Sequence, residues 1–340
     1  MKQIRNDKRW LNRTYEQQNI AFRDALHVDG SSASNSESAP SGCGCFGFLL
    51  VFLALCIGIG LVFWNLLIVP PKAGEAGREA GNTTILVAGT DHSGINTDTI
   101  MLVNFNGSEQ RVSIMSIPRD TRVDVTFRPA KINGVYASKG MGEKGMHWLC
   151  DYVRQCVGIM PDAFILIDLD CFVDVVDALG GVLFDVPAKM DYDDPSQDLY
   201  IHLDPGLQHL DGKEAMGLVR FRKGYALQDL ERVNVQREFI KSAIQQWYEE
   251  KDYYKMYKAF TILKDNCLTN LSVPNFLWMW KSMSDWGTVN FEAMTIPHTI
   301  GKSYIYIKKN EELLQIINEY FNPYTQEVSF ADLNIVSAEG

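Results

Sequence analysis

The longest apolar segment of the chain runs from Phe46 to Val69 and carries no charged side chain. At the helical rise per residue it would extend roughly 36 Å, enough to cross the hydrocarbon core of a bilayer. The pattern therefore predicts a transmembrane helix. A cleaved signal peptide would place a shorter apolar region directly after a basic start, whereas here residues 1–45 come first and are polar. Leu55 and Cys56 sit in the middle of the segment, which does not suit a lipoprotein cleavage site.

From Thr83 the pattern changes to short apolar runs: Thr84 to Val87, Ile100 to Phe105, Val112 to Ile117, Phe164 to Ile167 and Val182 to Val186. Runs of this length predict strands covered on both faces. Helices are predicted at Glu143 to Cys156, Cys171 to Leu179, Gly212 to Arg220, Leu230 to Tyr248 and Val273 to Ser284. Asp211 followed by Glu214 fits a capping box at the start of the third of these, with Pro205 and Gly206 as the preceding turn. In the fourth, Leu230, Val233, Ile240, Ile244 and Trp247 form an apolar stripe, while Asp229, Arg232 and Gln236 form a polar edge able to face a site.

Strands near the start with interleaved and later helices predict an α/β fold, a three-layer α/β/α arrangement with a central mixed sheet, preceded by one transmembrane helix. Gly30 to Gly44 is rich in Ser, Asn and Gly and too poor in apolar residues to form a core. Pro70 to Asn82 has the Pro, Gly and Ala content of a linker. The expected organisation is a disordered cytoplasmic tail over 1–45, a transmembrane helix over 46–69, a linker over 70–82 and an extracytoplasmic domain over 83–340.

Charge sets the orientation. Lys2, Arg5, Lys8, Arg9, Arg13 and Arg23 precede the span, whereas only Lys72 and Arg78 follow it closely, so the amino terminus is expected in the cytoplasm and the long carboxyl-terminal part outside the cell membrane. Residues 82–340 carry 24 Lys or Arg and 35 Asp or Glu, a net charge of −11. Such a surface argues against nonspecific nucleic-acid binding, so no nucleic-acid partner is expected. Cys150, Cys156, Cys171 and Cys267 would then lie in an oxidising compartment, where two disulfides in three connectivities are conceivable. Cys150 and Cys156 are six apart in a predicted helix, too far for a mutual bridge unless it unwinds, and free buried thiols are the alternative.

Polar segments fall at the ends of the apolar elements. Asp91 follows the first strand, Thr97-Asp98-Thr99 opens the second, and Ser-Ile-Pro-Arg119-Asp120-Thr closes the third. Lys131-Ile-Asn133-Gly-Val-Tyr136, Arg220-Phe-Arg222 and Asp229 through Gln236 follow. Strand ends are where α/β sheets bind ligands. Carboxylates beside several guanidinium groups suit a pyrophosphate, because carboxylate oxygens hold magnesium and arginine forks contact phosphate oxygens. Each residue also has a plainer role: Arg220 can neutralise a helix carboxyl end, and Asp98 can cap a strand or pair with an arginine. Gly89 to Gly94 has the glycine spacing of a P-loop, but Ile95 and Asn96 stand where Lys and Ser or Thr are needed.

The ordered series TDT, SIPRDT, KINGVY, VDALGG, PGLQHLDGKEAMGLVRFR and QDLERVNVQ resembles the motifs of the LytR-CpsA-Psr family and covers most of residues 83–240. The resemblance implies a magnesium-dependent phosphotransferase that moves a glycopolymer, such as a teichoic acid or capsular polysaccharide, from a polyprenyl-pyrophosphate carrier to peptidoglycan. It implies an apolar pocket for the polyprenyl chain with a charged mouth. By motif, Asp91 and Asp98 would hold Mg2+, while Arg119, Lys131, Arg220, Arg222, Arg232 and Gln236 would bind or position the phosphates. Asp98, Arg119 and Asp120 are the candidate catalytic residues, with Asp98 or Asp120 as general base. The partners implied are the lipid-linked glycan, the peptidoglycan acceptor and membrane lipid. Two positions depart from the pattern, Asn96 and Val235, where the family usually has arginine; Arg122 and Arg237 are candidates to compensate. Two rival activities use the same residues: pyrophosphohydrolysis of the same lipid, and noncatalytic lipid binding in a regulatory protein. Trp278, Trp280 and Trp286 are expected to pack first and to bind glycan second.

Overall fold

A computed structural model describes residues 77–79, 81–223, 229–284 and 289–336. The predicted tail, the predicted transmembrane helix and most of the predicted linker lie outside the described residues. Among the described residues, no helix is long and apolar enough to cross a membrane.

The strands are β1 (Asn82–Thr90), β2 (Thr97–Asn106), β3 (Arg111–Ser116), β4 (Ala163–Ile167), β5 (Val182–Val186), β6 (Met190–Asp194), β7 (Leu199–Leu203), β8 (Gly206–Leu210), β9 (Leu268–Thr269), β10 (Asn290–Thr295), β11 (His298–Ile300) and β12 (Ile305–Ile307). The helices are α1 (Val135–Ser138), α2 (Gly142–Val157), α3 (Leu169–Leu179), α4 (Gly212–Arg220), α5 (Asp229–Glu250), α6 (Tyr253–Asn266), α7 (Val273–Ser284) and α8 (Glu311–Tyr320).

Six strands form a mixed sheet in the order β10-β3-β2-β1-β4-β9. Strand β2 is antiparallel to β1 and β3, whereas β1 and β4 run parallel, as do β3 and β10. Alternation along the strands divides the apolar residues between two faces. Leu86, Ala88, Ile100, Leu102, Met115, Phe164 and Leu166 pack with Met146, Leu149 and Val153 of α2 and with Leu313 and Ile317 of α8. On the other face, Met101, Phe105, Val112 and Ile114 meet Ile240 and Ile244 of α5 and Trp278 of α7, and Ile85, Val87 and Ile165 meet Met279. Trp278 is thus a packing residue, its ring centroid 6.0 Å from that of Phe105.

A second core lies beside the sheet. There β5 pairs with β8, and β6 with β7, in two antiparallel ribbons packed on α4 and α5 through Val182, Phe184, Ile201, Leu218 and Phe239. Strand β5 therefore departs from the expectation of burial on both faces. Val182, Phe184 and Val186 are covered while Leu183 and Asp185 are exposed, because the strand belongs to a two-stranded ribbon with one wet face. Likewise, Pro205 lies in the turn between β7 and β8 and Gly206 opens β8, so neither forms the approach to α4, which follows β8 directly. The capping box at the start of α4 forms as expected: Asp211 accepts from the Glu214 amide and Glu214 accepts from the Asp211 amide.

The predicted linker boundary at residue 82 falls inside β1. Residues before it already belong to the domain. Arg78 donates to the Asp162 carboxylate at 2.6 Å and lies 5.0 Å from the ring centroid of Tyr324. The thiols follow both sequence alternatives in part. Cys171 of α3 and Cys267, just after α6, form a disulfide, while Cys150 and Cys156 are free and buried on α2.

Candidate active site

The carboxyl ends of β1 and β4 and the amino end of β2 open into a cavity of about 510 Å³ between the sheet and α3, α4 and α5. Gly89 helps to make the room: a side chain there would approach the Thr99 Cβ to 3.2 Å. The β1–β2 register slips between Gly89 and Thr90, which turns the following loop outward. Val87, Ile167, Phe172, Met216, Val219 and Ile240 give the lining an apolar part, and Asp91, Asp98, Arg220, Arg222, Lys223 and Arg232 give it a charged one.

Asp91 sits in the loop after β1 and accepts from the Ser93 hydroxyl at 2.6 Å, from Asn96 Nδ2 at 2.9 Å and from the Ile95 amide at 3.2 Å. Partial burial pushes its pKa up, but these hydrogen bonds together outweigh it and hold the carboxyl below its ordinary value. Asp98 opens β2. Its Oδ2 accepts from Arg119 at 2.7 Å and from Arg222 at 3.2 Å.

The Arg119 loop and the Lys131 loop are built against each other. Thr121 donates to the Pro118 carbonyl, the Ile132 amide donates to Thr121 and the Asn133 amide to Arg119. Buried Thr97 donates to the Asn133 carbonyl at 3.3 Å and ties the pair to β2. The result is a connected line of charge: Lys131 pairs with Asp120 at 2.7 Å, Asp120 lies 4.0 Å from Arg119, and Arg119 reaches Asp98. Asp98 alone of these four lines the cavity.

Arg220 ends α4. Phe221 takes an extended conformation and is buried in the second core, which anchors the chain between Arg220 and Arg222. Arg220 donates to Gln197 Oε1 at 2.8 Å. Its burial, then the neighbouring Arg222 charge, lower its pKa, while Asp194 and Tyr192 act in the opposite sense. It remains a cation at neutral pH. On α5, Arg232 and Gln236 lie one turn apart and are both buried. Arg232 donates to the Asp98 carbonyl at 3.5 Å; Gln236 accepts from Thr99 at 3.2 Å and donates to the Val219 carbonyl at 2.8 Å. The polar edge of this helix does face the site, although the Asp229 side chain lies outside the description.

Neither compensating arginine lines the cavity. Arg122 stacks over Tyr304 at 5.5 Å, and Arg237 bonds Glu238 and Thr295. Val235 packs in the second core and Asn96 is bonded to Asp91. Lys223, Tyr192 and Gln197 were not visible from the motifs, yet they line the cavity. The only sequence signal was the basic triplet formed by Lys223 with Arg220 and Arg222.

Among the described residues, no three His, Cys, Asp or Glu side chains gather as a metal cluster. Asp91 and Asp98 both line the cavity, and one or two carboxylates are the number a magnesium ion commonly takes, completing its shell with water and substrate phosphate oxygens.

In fold, the chain is similar to the crystal structure of Bacillus subtilis TagV, with a TM-score of 0.58 and 23% identity over 73% of this chain and 100% of that one. In sequence it is 27% identical over 205 residues to the polyisoprenyl-teichoic acid–peptidoglycan teichoic acid transferase TagV of Bacillus subtilis, covering 59% of this chain and 51% of that protein. The chain thus spans about half the length of that relative. It is 28% identical over 248 residues to the TagU transferase of the same description from Halalkalibacterium halodurans, covering 69% of this chain and 77% of that one. The LytR_cpsA_psr family model matches residues 70–322, the stretch that holds the mixed sheet and every residue of the cavity, and the chain belongs to that family.

Proposed function

We propose that the protein is a magnesium-dependent phosphotransferase of the cell surface, moving a glycopolymer from a polyprenyl-pyrophosphate carrier to peptidoglycan. The observation that carries this reading is a single cavity that joins apolar walls to the Asp91 and Asp98 carboxylates and three arginines. Apolar walls suit the polyprenyl chain and arginines suit phosphate oxygens. The Cys171–Cys267 disulfide supports an oxidising compartment, in keeping with a membrane anchor over 46–69 and a domain outside the cell membrane.

Asp91 and Asp98 would hold the metal, which when bound offsets the negative charge of the pyrophosphate. Arg220, Arg222 and Arg232 bind the phosphate oxygens and stabilise the charge that builds on them in the transition state. A peptidoglycan hydroxyl attacks the phosphorus that carries the glycan. The new O–P bond forms as the bond to polyprenyl phosphate breaks. Asp98, which lines the cavity while Asp120 does not, is the carboxylate we assign to accept the hydroxyl proton, through Oδ1, since Arg119 and Arg222 both take Oδ2. Arg119 acts through Asp98, holding it from behind the cavity wall, and the Lys131–Asp120 pair holds Arg119.

The test is transfer by the full chain in lipid nanodiscs, given a labelled polyprenyl-pyrophosphate glycan and peptidoglycan. Label entering peptidoglycan with magnesium, and neither with chelator nor in Asp98→Ala, is the expected result. Tight lipid binding without turnover would refute the transferase and favour a regulatory lipid binder; release of glycan without acceptor would make it a hydrolase.

A further inference from the structure

Beyond the phosphate-binding arginines, the cavity has a third kind of wall. The segment from Met216 to Lys223 runs from the second core to the mouth, and its chemistry changes along the way. Met216 and Val219 are apolar and partly buried, Arg220 is half-buried, and Arg222 and Lys223 are exposed. At the exposed end the β6–β7 hairpin closes the side of the cavity with Tyr192 and Gln197. The Lys223 ammonium lies 5.3 Å from the centre of the Tyr192 ring.

This wall is held in place before any ligand arrives. Asp194 caps the hairpin tip, accepting from the Ser196 amide at 3.1 Å and hydroxyl at 2.5 Å, and from Gln197 Nε2 at 2.5 Å. The Tyr192 hydroxyl approaches Asp194 at 3.5 Å, the outer limit for a hydrogen bond. Gln197 uses its other end, Oε1, to receive Arg220. The same side chain therefore fixes the hairpin and the phosphate-binding arginine relative to each other, and such preorganisation lowers the entropic cost of binding.

We propose that Tyr192 and Lys223, on the wall set by Gln197, form a subsite for the first sugar attached to the pyrophosphate. This rests on the pyrophosphate-lipid reading above. A sugar presents apolar C–H faces, which pack on an aromatic ring, and hydroxyls, which hydrogen-bond to amide and ammonium groups. The order of the walls, apolar, then arginine-rich, then aromatic and polar, repeats the order of lipid, pyrophosphate and sugar in the donor. Tyr192 and Lys223 lie outside every motif that pointed to the site; Lys223 adjoins the Arg220-Phe-Arg222 motif, and Tyr192 is brought there by the fold alone.

The experiment measures binding of two probes by the full chain with magnesium: farnesyl pyrophosphate, and the same lipid pyrophosphate carrying N-acetylglucosamine. Tyr192→Leu is expected to weaken the sugar-bearing probe about tenfold, the equivalent of roughly 1.4 kcal/mol, while binding of the bare probe stays within about twofold. Lys223→Ala should weaken the sugar-bearing probe more than the bare one. Tyr192→Phe, which keeps the ring, should bind both like the wild type and guards against a folding artefact. Equal losses for both probes, or no loss for either, would overturn the subsite while leaving the pyrophosphate site standing. A wild type that binds neither probe would overturn both.

Discussion

Replacing Cys171 and Cys267 together by serine tests how the fold holds its site. The disulfide closes a loop between residues 96 apart in sequence, joining α3 to the start of β9. The chain-entropy relation for a loop of that length gives about 4.7 kcal/mol of stabilisation, and removing native disulfides from small domains typically costs about 2–5 kcal/mol. At about 2–4 °C per kcal/mol for a domain of this size, the midpoint of thermal unfolding should fall by about 5–20 °C. The effect should also reach the cavity, because Leu169 and Phe172 on either side of Cys171 line it. Near-ultraviolet circular dichroism in detergent, with and without reductant, reads the midpoint directly. Reductant should bring the wild type down to the double variant and leave the variant unchanged. A variant that melts with the oxidised wild type, or that still shifts with reductant, would show that this disulfide is not what stabilises the domain.

Other expectations follow from single groups. The hydrogen bonds that lower the Asp91 pKa contribute stability that is complete above its ordinary value of 3.8 and is lost as pH falls through the lower folded value. Asn96→Ala removes one of those donors and should move the Asp91 midpoint upward in a carbon-13 carboxyl titration; an unmoved midpoint would show that the Nδ2 bond is not made in solution. Burial, with the Asp151 charge in the case of Cys150, pushes both free thiols up to about 12. Iodoacetamide at pH 8 should therefore leave them unmodified until the chain unfolds, and rapid native alkylation detected by mass spectrometry would contradict their burial. Gln236→Leu leaves the Val219 carbonyl and the Thr99 hydroxyl without their partner and should cost about 1–3 kcal/mol in denaturant unfolding. A loss under 0.5 kcal/mol, roughly the scatter of surface substitutions, would mean that the link between α5 and β2 is not maintained.

The parts of the fold that were legible in the sequence are those with strong local pattern. Strands β1 to β4 lie where their apolar runs predicted, and α4 begins at its capping box, because burial on both faces and a satisfied helix start each leave a local trace. Strand β10 was missed because its half-buried residues, Asn290 to Thr295, gain their place by parallel pairing with distant β3. Helix α8 was missed although its signal was present: Asn310 caps the Leu313 amide, and Leu313 and Ile317 fall one turn apart. At the site, Asp91, Asp98, Arg220, Arg222, Arg232 and Gln236 converge on one cavity as the motifs implied. Arg119, Asp120 and Lys131 are brought to the same neighbourhood, yet sit behind Asp98, a difference that depends on side-chain direction and not on sequence order. Tyr192 and Gln197 reach the mouth only through long-range packing of the β6–β7 ribbon on α4 and α5, and Lys223 faces them across it.

Under the proposed function, Asp91, Asp98 and three arginines meet one pyrophosphate in this cavity. Crystals grown with manganese in place of magnesium and with a short polyprenyl pyrophosphate test it most directly, since the anomalous signal locates the metal independently of the ligand. A manganese peak held by Asp91 and Asp98 is expected, with the pyrophosphate against Arg220 and Arg222 and the lipid along Val87, Phe172 and Ile240. A pyrophosphate bound elsewhere, or bound in the cavity with manganese remote from both carboxylates, would contradict it.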